Sequence, residues 1–258
     1  MTQPLSEPSL EVLFTPAEFN ALAQRDLSQT VCVVFDVLRA TSSMVTALAN
    51  GAVSIAPVVD IPEALALKRS DPELLLAGER QGVRIGADLT GGIIFDLGNS
   101  PREFTRARVQ GKRLAMTTTN GTRALRACAQ ARQVLVSSFL NIEATARFLE
   151  QSRPANLLII CSGTFEEAAY EDALGAGALC DRLWGRYSGA RVADSAHICR
   201  RLYQTARSDL RTAFGEAVNG SRLLSRPELR DDVAFCAQRD IFPLVLELAK
   251  DGLVRAQT

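Results

Sequence analysis

The chain has 258 residues, 47% hydrophobic and 22% charged, which excludes a disordered, collagenous or coiled-coil protein. Lys plus Arg is 29 and Asp plus Glu is 29, so no global charge draws the chain to nucleic acid or to an anionic membrane. No run approaches the ~20 apolar residues of a membrane span, and the N-terminus lacks the basic start and apolar core of a signal peptide, so a cytoplasmic protein is expected.

Residues 1–30 read as an irregular segment with a short helical start at Thr15, where TPAEF offers an N-cap and a proline at the first helical position. VCVVFDV (31–37) is an apolar, β-branched run of the kind buried in the middle of a parallel sheet. A hydroxyl-rich loop, LRATSS (38–43), and a helix, MVTALANGA (44–52), follow. ELLLAGER (73–80) ends a further strand on a charged pair, and 81–101 is glycine-rich and irregular. The pattern then repeats: strand KRLAMTT (112–118), loop TNGT (119–122), helix RALRACAQA (123–131), strand QVLVSSF (133–139). Strand ANLLIIC (155–161), loop SGTFEEAAYE (162–171) and helix DALGAGALCDRLWGRY (172–187) complete it. From 188 the chain reads as mostly helical, a cap or second lobe on a single α/β domain spanning 1–258. Strands alternating with helices predict a three-layer α/β/α fold with a largely parallel or mixed sheet.

In open α/β sheets ligands sit beyond the carboxyl ends of strands. Three such ends here carry small hydroxyl residues: Thr41, Ser42 and Ser43, with Arg39, after Asp36; Thr117 to Thr122; and Ser162 to Thr164 before Glu171 and Asp172. One hydroxyl at a helix start is commonly an N-cap, but three such loops on one sheet favour an anion, with phosphate the commonest occupant. Arg39 could clamp it through two guanidinium N–H groups. Asp36 closes an apolar strand, where a buried carboxylate needs a partner or a metal, and Glu79 is placed similarly beside Arg80. Hard oxygens converging on phosphate point to Mg²⁺. The plainer alternative makes Glu79 part of an ion-pair network and has Glu171 and Asp172 complement a helix dipole.

Several phosphate chemistries fail on spelling. No P-loop or dinucleotide fingerprint is present. One histidine, His197, cannot build a histidine phosphatase and reads as structural. Cys180 and Arg186 have the spacing of a cysteine-phosphatase loop, yet CDRLWGR lies in an amphipathic helix. Leu38 stands where an aspartyl-phosphate phosphatase would need its second aspartate. The six cysteines are scattered, as expected of reduced, buried thiols.

FDVLRATSS (35–43), LLLAGER (74–80), FDLGNSP (95–101), TTTNGT (117–122), CSGTFEEAAYEDALGAGA (161–178) and DDVAFCAQRD (231–240) follow one another in an order that resembles the 2-phosphosulfolactate phosphatase family. The resemblance covers about residues 31–240 and implies an α/β, Mg²⁺-dependent hydrolase. That family converts 2-phosphosulfolactate and water into sulfolactate and phosphate, a step toward coenzyme M. On this footing Asp36, Glu79 and Asp172 are the expected metal ligands and Glu171 the expected acid or base. Thr118, Thr119, Asn120, Gly121 and Thr122 would cradle the phosphoryl group, helped by Thr41 and Ser42. Arg39 and Arg80 would neutralise charge or hold the sulfonate and carboxylate, and Asn99 and Ser100 would line the cleft. Two routes fit: direct attack by water, or attack by Asp36 with a phospho-enzyme. The rival reading is a non-catalytic module binding a phosphorylated or sulfonated small acid. A small phospho-acid is thus the expected partner, and a homo-oligomer the base expectation.

Overall fold

Alternate residues of the apolar run before Asp36 are buried in two different cores. Val31, Val33 and Phe35 pack with Leu157, Ile159 and the helix Tyr170–Tyr187, while Cys32 and Val34 pack with Met44, Val45, Leu125 and Ile160. A strand covered on both faces has no reason to alternate with polar residues, which is why it reads as a continuous apolar run. The computed structural model describes residues 8–187, 189 and 191–257. Among these it contains β1 (Ser9–Leu13), β2 (Thr30–Phe35), β3 (Ser54–Pro57), β4 (Leu75–Arg80), β5 (Val83–Arg84), β6 (Arg113–Thr117), β7 (Gln133–Ser137), β8 (Asn156–Cys161), β9 (Arg191–Val192), β10 (Leu246–Leu248) and β11 (Val254–Ala256). They form one mixed, mostly parallel sheet in the order β5-β4-β6-β3-β11-β10-β7-β2-β8-β1-β9. With helices on both faces, the architecture is three-layer α/β.

Two parallel groups make up this sheet. β2 lies between β7 and β8, with Val33 opposite both Leu135 and Ile159, and β6 lies between β3 and β4. Three antiparallel pairings, β3 with β11, β11 with β10 and β10 with β7, join the groups. The helix Ala40–Ala49 is buried from Ala40 through Leu48, because apolar residues of both groups close on it: Val34 and Ile160 from one, Ile55, Leu114 and Met116 from the other. Wrapped around this helix, the sheet brings the carboxyl ends of β2, β4, β6 and β8 to one place.

Several expectations are corrected. Residues 9–13 are not irregular: β1 pairs in parallel with β8, Leu10 opposite Leu157 and Val12 opposite Ile159. Three buried apolar residues, Leu10, Val12 and Leu13, in five positions give too short an alternation to read, and pairing with β8 creates the strand. The stretch 38–43 is only partly a loop, since the helix starts at Ala40. Its hydroxyls are not solvated: Thr41 Oγ1 donates to the Asp36 carbonyl at 2.9 Å and Ser42 Oγ to the Val37 carbonyl at 2.8 Å. The glycine-rich stretch includes β5, antiparallel to β4, and a helical turn at Ala87–Thr90. After the helices Asp194–Ala206, Leu210–Glu216, Val218–Leu224 and Asp231–Cys236, β10 and β11 return to the interior of the sheet. At three residues each they are too short to carry a period.

Other expectations stand. Thr15 caps the helix Pro16–Asn20, with Glu18 Oε2 accepting the Thr15 N–H at 2.8 Å. All six cysteines are buried and unpaired. Among the described residues no helix is long and apolar enough to cross a membrane.

Candidate active site

Asp36 after β2, Glu79 in β4, Thr119 and Asn120 after β6 and Gly163 to Phe165 after β8 line a cleft of about 90 Å³. Asn99 closes one side, and Asn219, Arg222 and Arg226 cover it from the helix Val218–Leu224 and the turn that follows.

Its carboxylates differ in what they have left to offer. Asp172 is saturated: Oδ1 accepts the Val37 N–H at 2.7 Å, and Oδ2 accepts the Ser162 hydroxyl at 3.1 Å and the Gly163 N–H at 3.2 Å. It ties the start of the helix Tyr170–Tyr187 to the ends of β2 and β8. Burial, then the charges of Asp36 and Glu171, push its pKa well above the usual carboxylate range. Glu79 is also committed. Its Oε1 accepts the Thr119 N–H and hydroxyl, both at 2.9 Å, and its Oε2 accepts the Gly82 N–H at 2.6 Å.

Asp36 and Glu171 are different. Asp36 Oδ1 accepts the Ala40 N–H at 2.9 Å, while Oδ2 faces Gly121, where a Cβ would lie 2.5 Å away. Burial raises its pKa to about 6, with the Glu79 charge adding to the shift and the Ala40 N–H, Ser162 and Arg39 opposing it. Glu171 Oε1 accepts from Asn219 Nδ2 at 2.8 Å, but its buried Oε2 has no partner. Its pKa rises to about 7 through burial, against the Asn219 hydrogen bond and with a contribution from the Asp36 charge. Asn99 Oδ1 and Asn120 Oδ1 are likewise buried without a donor. A buried acceptor left unpaired costs about 1–3 kcal/mol. Three in one small region are therefore an unmet demand for protons or positive charge.

On the cationic side, Arg39 is 3% exposed and fixed at both ends, with Nη1 2.7 Å from Asp232 Oδ2 and Nη2 donating to the Gly82 carbonyl at 2.8 Å. Asp232, fully buried, also accepts from Ser100 Oγ at 2.7 Å and Arg102 Nε at 2.8 Å. The site therefore pairs a rigid guanidinium with carboxylates, over oxygens that lack donors.

A family model described as 2-phosphosulpholactate phosphatase matches residues 17–251. The chain belongs to this family. A protein of Pseudothermotoga lettingae named probable 2-phosphosulfolactate phosphatase is 37% identical over 248 residues, covering 95% of this chain and 98% of its own length. Proteins of the same name from Caldanaerobacter subterraneus subsp. tengcongensis and Thermotoga maritima are each 35% identical, covering 94% and 83% of this chain and 97% and 86% of their own.

In this family member the residues singled out by sequence divide into two groups. Asp36, Arg39, Glu79, Asn99, Thr119 and Asn120 line the cleft, and Gly121 abuts Asp36. Thr41, Ser42, Thr118 and Thr122 instead close turns in the backbone. Thr118 and Thr122 do so reciprocally, each hydroxyl accepting the other's N–H at 3.3–3.4 Å. Ser100 is turned to Asp232. Arg80 crosses to β6, donating to the Glu79 carbonyl at 2.7 Å and Thr117 Oγ1 at 3.0 Å, and does not line the cleft. The expected ligand trio is not assembled: Glu79 and Asp172 are spent on N–H and O–H donors, and among the described residues no three Asp, Glu, His or Cys form a metal-binding group. His197 lies outside the cleft, its ring 4.8 Å edge-on from Trp184, and Cys180 is buried within its helix.

Asn219, Arg222, Arg226 and Asp232 were missed by sequence reasoning. VNGSRLL carries no motif, and the only cue to Asp232 is its place in the family-like block DDVAFCAQRD. Gly121 is decisive for the geometry. In Gly121→Ala the added Cβ would stand 2.5 Å from Asp36 Oδ2 and 2.7 Å from Ala40 Cβ. We expect overpacking to cost about 1–3 kcal/mol of stability, with a 10-fold or larger drop in ligand affinity at the cleft, measured by melting and calorimetric titration.

Proposed function

We propose that this protein hydrolyses 2-phosphosulfolactate to sulfolactate and phosphate with the help of Mg²⁺. The observation that carries the reading is the set of buried, donor-less oxygens: Asn99 Oδ1 and Asn120 Oδ1, on residues that line the cleft with Asp36 and Arg39, and Glu171 Oε2, whose carboxyl is bonded to the cleft residue Asn219. The donor chemistry fits a hard divalent cation, which takes one or two carboxylates and neutral oxygens and leaves places for water and phosphate. Asp36 with Asn120 would hold it, in place of the trio expected from sequence. When bound, it supplies positive charge to the phosphoryl oxygens.

The chain's own residues do the rest. Arg39 meets the negative charge that spreads over the phosphoryl oxygens as the ester bond breaks, and Asp232 keeps that guanidinium from reorganising. Glu171 has a pKa of about 7, suited to holding a proton at neutral pH and giving it to the departing C2 oxygen. Water supplies the oxygen and the replacing proton, so that phosphate and the alcohol are the only products. Asp36 is the carboxylate placed to attack phosphorus or to bind the cation, and trapping labelled phosphate on it separates the two roles.

Cation removal is the test. Phosphate release from 2-phosphosulfolactate should fall at least ~100-fold in EDTA and return with added Mg²⁺, which should also raise the melting temperature in the absence of substrate. Full activity in EDTA would remove the cation from the mechanism. Stabilisation by 2-phosphosulfolactate without phosphate release would favour the binding module.

A further inference from the structure

Three arginines line the cleft, and only one is neutralised. Arg39 is paired with Asp232, whereas Arg222 and Arg226 have no carboxylate partner among the described residues. Arg222 lies in the last turn of the helix Val218–Leu224 and Arg226 in the turn that follows it. Arg226 donates through Nη1 to the Gln81 carbonyl at 3.1 Å, and its guanidinium and that of Arg39 both come within 4.0 Å of where a Cβ on Gly82 would stand. The guanidinium carbon of Arg222 lies over the ring of Phe165, 4.8 Å from the centroid.

Phe165 is itself unusual. It is 48% exposed, and its backbone is left-handed, with φ at 54°. For a bulky residue this conformation is unfavourable and has to be held by its surroundings. Here Asn120 Nδ2 donates to the Phe165 carbonyl at 2.9 Å. A residue on the loop beside Asp36 thus fixes an exposed aromatic platform that aims an arginine into the mouth of the cleft.

We infer that Arg222 and Arg226, with Phe165 as the platform for Arg222, form a second anion subsite that selects phosphomonoesters bearing a further strong acid. On the phosphatase reading above, that acid is the sulfonate. In 2-phosphosulfolactate the phosphate and carboxylate share C2, while the sulfonate is one carbon further out. With the phosphoryl group at Asp36 and Arg39, the sulfonate reaches the mouth. Three equivalent oxygens with spread charge match the planar N–H forks of two guanidinium groups. The substrate class is therefore a phosphorylated hydroxy acid with a strongly acidic group on the neighbouring carbon.

The test compares 2-phosphosulfolactate with 2-phospholactate, in which hydrogen replaces the sulfonate. The wild-type enzyme should prefer the sulfonated ester. In Arg222→Ala/Arg226→Ala the ratio of kcat/KM for the two should fall by ~100-fold, mainly through KM for the sulfonated ester. Arg222→Lys, keeping the charge but losing the guanidinium over the Phe165 ring, should fall between. A preserved ratio in the double variant overturns the subsite. A general folding defect would lower both substrates together and leave the ratio high, so it is not mistaken for the predicted result. If the wild-type protein hydrolyses neither ester, the phosphatase reading fails, and the subsite is decided by calorimetric titration with 3-sulfolactate and lactate. A preference for sulfolactate that disappears in the double variant sustains it. Equal or absent binding by the wild-type protein, or an unchanged preference in the variant, overturns it.

Discussion

Asp36→Asn is expected to lower kcat/KM for phosphate release by ~10³-fold or more and to leave the cation-free protein at least as stable as wild type. The loss follows from either role of Asp36, because an amide is neither a nucleophile toward phosphorus nor an anionic ligand, and a few kcal/mol of lost transition-state stabilisation is a factor of this size. The stability follows from burial. Asp36 is surrounded by Glu79, Glu171 and Asp172, and desolvation lifts its pKa from 3.8 to about 6. An acid whose folded-state pKa is raised weakens the fold once pH passes above the unfolded value, and the penalty is complete above the folded one. The neutral amide keeps the acceptor for the Ala40 N–H and removes the charge. In EDTA at pH 8 the variant should therefore be more stable by about 1–3 kcal/mol. The gain should shrink as pH falls through about 6 and vanish near about pH 3, where Asp36 is protonated in both folded and unfolded chains. Melting curves across this range check the sign. Full activity in the variant would remove Asp36 from the site.

Asp232→Ala should give the largest loss of stability. Asp232 is fully buried and accepts from Arg39, Ser100 and Arg102. It fastens the helix Asp231–Cys236 to the loop after β2 and to the turn around Ser100. Removing one partner of a buried pair leaves the other charge uncompensated, at a cost of about 3–5 kcal/mol. At roughly 2–4 °C per kcal/mol for a chain of this size, the melting temperature should drop by about 6–20 °C. Asp232→Asn, which retains acceptor oxygen but loses charge, should fold better and yet still lose activity, because Arg39 is no longer held in one orientation. A variant with wild-type melting and wild-type kcat would show that Arg39 is positioned by other contacts.

How much of this was legible depends on the kind of interaction. β2, β6, β7 and β8 stand out in sequence because strands covered on both faces are apolar at successive positions. β1, β10 and β11 do not, since Ser9 and Glu11 interrupt the apolar residues of β1, and β10 and β11, at three residues each, owe their existence to their neighbours in the sheet. The helix at Ala40 was partly hidden behind Thr41, Ser42 and Ser43, residues that favour loops in isolation. Here Thr41 and Ser42 satisfy carbonyls of the chain just before them. The same habit explains the site. Thr118 and Thr122 have the composition of a phosphate loop, but each spends its hydroxyl on the other. Asp36, Glu79, Thr119 and Asn120 were found because they close or follow strands, where topology gathers ligands, and Asn99 through the family-like block FDLGNSP. Asn219, Arg222 and Arg226 come from a helix distant in sequence with no motif. Their role arises only when that helix is laid over the cleft.

The most direct measurement is phosphate release by the purified protein from 2-phosphosulfolactate with Mg²⁺, beside 2-phospholactate, 3-phosphoglycerate and a simple aryl phosphate. Catalysis at this cleft predicts fast release of one phosphate per sulfolactate formed, with a clear preference for the sulfonated ester. No release from any of the four compounds, in a folded protein supplied with Mg²⁺, would contradict the account.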